Sequence, residues 1–448
     1  MTPEDEKFLT ELYQNLNKQP VPPTSPLYVP LEELPGQVMG PDAVKLLCRT
    51  ITMTTPGEGF FLTGLRGSGK TVQLLRLKQD LRRRGFAVVM FSAEDYLNMH
   101  EPLDVVDVLF FLVGAISDQA VEDDLIKRSD SATSSGWSRL QQWLTGLASR
   151  VRVTGAEISA AGAVPGLLTA TASLKAELRR DPAFVAQLRD FLQGRLSELV
   201  EQANRIVTDM VAEMRQRWTG GEWKGLVVIV DSLDHNRAVD SEKFQQVRRA
   251  LVNLFDKDYD NLRLADCRTV FTLPMYVQIS AARAVRRVTN LRVTDRERTS
   301  NADGITAARE VLLHRAPDGG LDRLLGDDLI DRLVLASGGH LRILLGLMME
   351  VVTQAESLPV DDATVTAAIQ QVRNGMLPLA DDQRTMLRRV AASHDLPLPT
   401  QDGWDVVASL LDQHFALGYQ NGQVWFDVHP LLHDEIAPPE IDSDPART

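Results

Sequence analysis

The sequence predicts an α/β fold: a parallel sheet flanked by helices, interrupted by a large insertion and followed by a mainly helical C-terminal half. Three observations predict it. Short apolar runs of strand length alternate with stretches of helical period over residues 36–103 and 222–299, and strands separated by helices pair in parallel. One of those runs, Phe60–Thr63, opens into the glycine-rich stretch GLRGSGKT and then a helical stretch. Another, Leu226–Val230, is wholly apolar and ends on an acid, Asp231.

Taken in order, residues 1–35 form an N-terminal helix and an arm. Pro20, Pro22, Pro23, Pro26, Pro30 and Pro35 fall within sixteen residues of that arm, which predicts an extended segment lying across a domain. Residues 41–54 read as a helix. The helix over 69–84 carries apolar Leu74, Leu75, Leu77 and Leu81, and Gly85 is placed to end it. Gly85–Asp95 contains the second buried strand.

An insertion spans 104–221. Helices are predicted at about 104–121 and 137–149. Strict alternation over Leu168–Leu178 predicts a strand, paired with 151–159 in a hairpin. Asp181 and Pro182 start a helix whose apolar spacing runs to about Trp218, so one long helix is expected over 182–218. Core strands follow at Leu226–Asp231 and Arg268–Pro274, with a short fifth over Val288–Asp295. Residues 300–375 read as a helical lid. Residues 376–440 read as two helices and a hairpin turning at Asn421-Gly422, a winged helix. Residues 441–448 are a tail.

The chain has 448 residues, enough for two or three domains. Its formal net charge is −13, which opposes non-specific nucleic-acid binding by the whole molecule. Its two cysteines, Cys48 and Cys267, make neither a disulfide framework nor a zinc site and suit a reducing cytoplasm. The N-terminus is acidic and unlike a signal peptide. The most apolar run, Val105–Ile116, is broken by Asp107 and too short to span a bilayer.

Gly64, Gly69, Lys70 and Thr71 fit G-x-x-x-x-G-K-[ST] between a strand and a helix, the context a phosphate-binding loop needs. Gly64, Arg66, Gly67, Ser68 and Gly69 carry the loop backbone. Its N–H groups and the helix N-terminus suit phosphate oxygens. Lys70 would reach the β- and γ-phosphates of ATP, and Thr71 would offer its hydroxyl to Mg²⁺. The alternative is a glycine turn with an exposed lysine. Asp231 is placed to hold the same Mg²⁺.

On these residues the chain resembles the AAA+ and STAND branch of P-loop ATPases, over about 40–100 and 222–350. The resemblance implies further roles. A second acid usually follows the Mg²⁺ ligand and polarises water, but here Ser232 stands there and Asp234 comes next, giving DSLD. Asp234 or His235 is then the available base, with a helix cap the other reading of Asp234. Thr272 falls at the position of a γ-phosphate sensor, or is an ordinary strand threonine. Within LASGGHLRILLGLMMEVV, Arg342 matches the second sensor of a GG-x-x-R lid motif. Arg286 and Arg287, just ahead of the expected fifth strand, match an arginine finger acting in a neighbouring subunit, or form a basic helix end.

Winged helices often bind DNA, but residues 376–448 hold four arginines, no lysine and twelve acids, a formal charge of −8. Groove readers need basic residues, so a protein-contacting module is expected. No effector segment is recognisable. The expected protein is a cytoplasmic Mg-ATP-binding switch or assembly platform, homo-oligomeric, with slow hydrolysis, a separately encoded protein effector and no membrane. The resemblance extends to stand-alone ATPases of bacterial antiphage clusters. The alternatives are a mechanical ATPase that loads or remodels DNA or protein, and a nucleotide-binding scaffold.

Overall fold

The structure is a computed structural model. It describes residues 1–126, 139, 142, 189–190, 192, 194–234, 241–280, 285–396 and 403–437. The chain divides into two compact units. One comprises Ala43–Thr63 and Gln73–Arg287; the other comprises Met1–Asp42, Gly64–Val72 and Val288–Thr448.

The first unit holds the sheet. Helix α1 (Pro3–Asn17) belongs to the other unit, so this one begins with α2 (Ala43–Met53), then β1 (Gly59–Gly64), most of α3 (Lys70–Arg83) and β2 (Ala87–Ser92). Helices α4 (Val105–Glu122) and α5 (Leu196–Arg217) follow, then β3 (Leu226–Asp231), α6 (Ser241–Asp256), β4 (Cys267–Leu273) and β5 (Val285–Val288). The strand order is β2-β3-β4-β1-β5, and β2–β3, β3–β4 and β4–β1 pair in parallel. Every residue of β3 and β4 is buried. Burial on both faces is why β3 reads as a continuous apolar run without alternation, while β4 buries Arg268, Thr269 and Thr272 among its apolar residues.

Helix α4 is buried almost all round, which accounts for its membrane-like composition. Asp107 does not break it. Its carboxylate accepts from Asp104 N at 2.7 Å, closing a capping box, and pairs with Arg189.

Two expectations change here. The helix expected over 182–218 does not run through: the chain turns at Gly194 (φ 76°), and α5 covers only Leu196–Arg217. The fifth strand lies at Val285–Val288, not Val288–Asp295, so Arg286 and Arg287 sit inside β5. Beyond Val288 the backbone finds other partners: Leu291 N donates to Gly339 O and Arg292 N to Val38 O. The expected helix over 137–149 and hairpin over 151–178 lie outside the described residues.

The second unit gathers the rest. Helices α7 (Ala302–Leu313), α8 (Asp327–Ala336), α9 (Leu341–Gln354) and α10 (Asp362–Asn374) form the lid. Phe8, Leu9, Leu12 and Leu16 of α1 share one core with Leu344, Leu347, Met348 and Val351 of α9, so the N-terminal helix completes the lid. The proline-rich arm is not fully extended; it makes short 3₁₀ turns at Leu31–Glu33 and Pro35–Gln37. The C-terminal module has α11 (Asp381–Ser393), α12 (Trp404–Asp412) and an antiparallel hairpin of β6 (Ala416–Asn421) and β7 (Gln423–Val428). The hairpin is tied to the lid. Tyr419 Oη donates to Gly338 O at 2.7 Å, and both Asn290 N and its side-chain amide donate to Gly418 O.

Candidate nucleotide site

The glycine loop connects β1 to α3. Gly67 (φ 81°) and Gly69 (φ 96°) hold conformations that L side chains rarely adopt. Gly67 also has no room: a Cβ there would lie 2.8 Å from Arg342 Cβ and 3.0 Å from both Arg342 Nε and His340 Cε1. Lys70, the first residue of α3, is buried, and its Nζ donates to Gly64 O at 2.9 Å and Leu65 O at 2.8 Å. The ammonium is thus curled into the loop that an anion would occupy. Ser68 is buried and its hydroxyl has no hydrogen-bond partner, an orphan that a ligand oxygen would satisfy. Positive-φ glycines, a buried ammonium, an orphaned hydroxyl and a helix N-terminus are the donor set that nucleotide phosphates require.

A double-glycine turn positions Arg342 and His340 on this loop. Gly338 and Gly339 both have positive φ. A side chain on Gly339 would strike the Leu291 carbonyl, so only glycine fits beside that segment. The double-glycine turn delivers His340 as N-cap of α9 and Arg342 in its first turn. His340 Nε2 donates to Arg66 O at 2.8 Å, and its Nδ1 accepts from Ile343 N at 3.3 Å, which fixes a neutral Nε2–H tautomer. Burial pushes its pKa down to about 4. Against it, ring centroids 4.4 Å apart, lies His414, whose pKa burial also pushes down. His414 holds a positive φ of 62° and has a buried, unpartnered Nδ1. The sequence reading passed over His340, His414 and the orphaned hydroxyl of Ser68. A histidine at an N-cap, where Ser, Thr, Asp or Asn is usual, was the one signal in the sequence for His340; nothing local marked His414.

In the sheet unit, β1, β3 and β4 run parallel, so their carboxyl ends share one edge, where open α/β sheets bind ligands. Asp231 ends β3 there. It is buried, and its Oδ1 accepts from Ser232 N at 2.8 Å. Ser232 has φ 66°, a strained conformation for a non-glycine residue. Thr272 on β4 pins the same turn: its Oγ1 accepts from Leu233 N at 3.3 Å and donates to Val230 O at 3.4 Å. Its one proton is therefore committed, and donating to a phosphate requires releasing Val230. Asp234 is half-buried in the turn beyond Asp231. His235 lies outside the described residues.

No family model matches the chain, and no curated protein matches it. Among solved structures it is similar to the Aeropyrum pernix ORC2 protein in ADPNP and ADP complexes, at 10% identity and TM-score 0.36, covering 93% of each chain. It is also similar to Cdc6p from Pyrobaculum aerophilum, at 13% identity and TM-score 0.34, covering 91% of this chain and 93% of that one. Similarity at that level assigns no chemistry, which rests on the residues themselves.

Arg286 and Arg287, adjacent on β5, project to opposite faces of the strand. One anion cannot take both from the same side. Burial lowers the Arg287 pKa from its usual value. Among the described residues no helix is long and apolar enough to cross a membrane.

Proposed function

We propose that the chain is a Mg-ATP-binding ATPase of AAA+/STAND type that works as a nucleotide-dependent switch or assembly platform. The observation that carries this is Gly67, packed under Arg342 and His340, so that the loop and the first turn of α9 answer to the same ligand. In this reading the loop backbone and Lys70 take the phosphates, Arg342 adds a charge-assisted bond, and Thr71 and Asp231 hold Mg²⁺. Mg²⁺ held by Thr71 and Asp231 would supply charge screening for the β- and γ-phosphates. Asp234 orients water, and Thr272 senses the γ-phosphate only by giving up its bond to Val230. Ser232 in place of a second acid makes hydrolysis slow, below the roughly 1 per second of ordinary enzymes.

The C-terminal module contacts protein rather than DNA in this proposal. Residues 376–448, which contain it, carry a formal charge of −8, and its hairpin is bonded to Gly338 of the lid and to Asn290. A separately encoded effector and an antiphage setting rest on the sequence resemblance alone. ATP with Mg²⁺ should raise the melting temperature, because a ligand of the native state stabilises it by mass action. Lys70→Ala should remove most of that rise. An equal rise in the variant would overturn the site, and fast turnover stimulated by duplex DNA would favour a DNA-loading motor instead.

A further inference from the structure

His340 makes two bonds of different kinds. The Nδ1 bond to Ile343 N caps its own helix; the Nε2 bond reaches the phosphate loop at Arg66 O. Serine, threonine, aspartate or asparagine would cap the helix equally well, but none of them is long enough to span to Arg66. The histidine is therefore chosen for its second bond. That bond fixes a peptide plane. In a trans peptide the carbonyl and the following N–H point in opposite directions, so holding Arg66 C=O against His340 turns Gly67 N–H away from it. The imidazole also packs its Cε1 into the space over Gly67 and lies against His414 of the C-terminal module, the two rings tilted by 35°.

We propose that His340 is the positioning residue of the phosphate loop: it holds the Arg66–Gly67 peptide in the orientation that presents Gly67 N–H to a phosphate, and through His414 it links that orientation to the C-terminal module. This rests on the nucleotide reading above. The ring serves as a neutral donor-acceptor. Lys70, Arg342, His414 and His429 are the charged and titratable groups facing it, and a protonated ring would set Nδ1–H against Ile343 N–H.

The test separates a cap from a positioner in the full-length chain. His340→Asn keeps a short acceptor for the helix end but cannot reach Arg66. His340→Gln sets an amide N–H at about the reach of Nε2. Two quantities are read for each: the melting temperature without nucleotide, and the dissociation constant of a fluorescent ATP analogue with Mg²⁺. Wild-type protein and Lys70→Ala run alongside. We expect His340→Asn to melt near the wild type yet bind about tenfold more weakly, and His340→Gln to bind within about threefold of wild type. Wild-type affinity in His340→Asn would leave the residue a helix cap and overturn the proposal. So would His340→Gln binding no better than His340→Asn. If His340→Asn melts too low to assay, His340→Ser supplies the same cap and the same comparison. Failure of the wild type itself to bind, or equal binding by Lys70→Ala, would instead defeat the nucleotide reading.

Discussion

Gly67 is the residue on which loop and lid meet, and its substitution tests both. In Gly67→Ala the new methyl must take φ 81° and push into Arg342 and His340. Left-handed strain in a non-glycine residue costs about 1–3 kcal/mol, and moving either neighbour disturbs the phosphate donors. We expect a lower melting temperature and no stabilisation by ATP; a full ATP shift would contradict the packing. Gly346, inside α9 with open space where a Cβ would go, is the control. Gly346→Ala should stabilise by about 0.4–1 kcal/mol. The buried histidines give a pH dependence. Burial holds His340 at about 4 and His429 at about 3, against 6.5 for the free side chain. Native pKa values below the unfolded ones mean that the unfolded chain binds more protons as pH falls. This stability is therefore whole above about pH 6.5 and is lost between there and about pH 4 for His340 and about pH 3 for His429. At pH 5 each of the two costs about 2 kcal/mol relative to pH 7.5. Melting curves from pH 7.5 to 5 should fall accordingly, and less steeply in His340→Gln. The backbone was legible where a motif fixes it, as in the positive-φ glycines and the helix start at Lys70 within Gly64–Thr71. Contacts that depend on chain folding were not legible, as between His340 and Arg66, 274 positions apart.

At the scale of elements, local pattern carried far where it was strong and failed where a single residue decides. Strands β1 to β4 and the helices flanking them announce themselves through apolar runs and glycine stops. The fifth strand did not, because Val288–Val293 is apolar enough for a strand but its N–H groups bond to Gly339 and Val38 instead. The helix before β3 is shorter than its spacing predicts, because helical spacing continues across Gly194 and periodicity cannot register a positive φ. Asp107 in α4 is the converse. It looks like an interruption, yet it caps the helix and pairs with Arg189, whose guanidinium also bonds Pro102 O. Removing one member of a buried pair strands the other and costs about 3–5 kcal/mol. Asp107→Ala should approach that range in denaturant titration, while Asp107→Asn, which keeps an acceptor for the cap, should lose less. Equal, small losses in both would mean that the pair is solvated.

For the whole molecule the open matter is self-association, and β5 defines how to test it. Each copy carries a formal charge of −13, so copies repel over the Debye length, about 8 Å at 0.15 M ionic strength and about 30 Å at 0.01 M. Assembly should be measured at the higher value. β5 is the edge strand beside β1. If it offers an arginine finger, the protein should be a monomer or small oligomer without nucleotide and a larger ring or spiral with a slowly hydrolysed ATP analogue. The position of the arginines inside the strand sharpens this. Arg286 and Arg287 face opposite sides, so only one of them can meet a neighbour's γ-phosphate. Of Arg286→Ala and Arg287→Ala, one should abolish assembly or hydrolysis while sparing ATP binding, and the other should leave both nearly intact. Fingers of this kind are worth about 10³–10⁵ in rate where they act in GTPases, so the gap between the two variants should be wide. Light scattering and phosphate release on the two single variants decide it. Equal, modest effects would leave the arginines as ordinary charges on a sheet edge. A wild-type chain that stays monomeric when saturated with the analogue would remove the finger altogether and confine the switch to one copy.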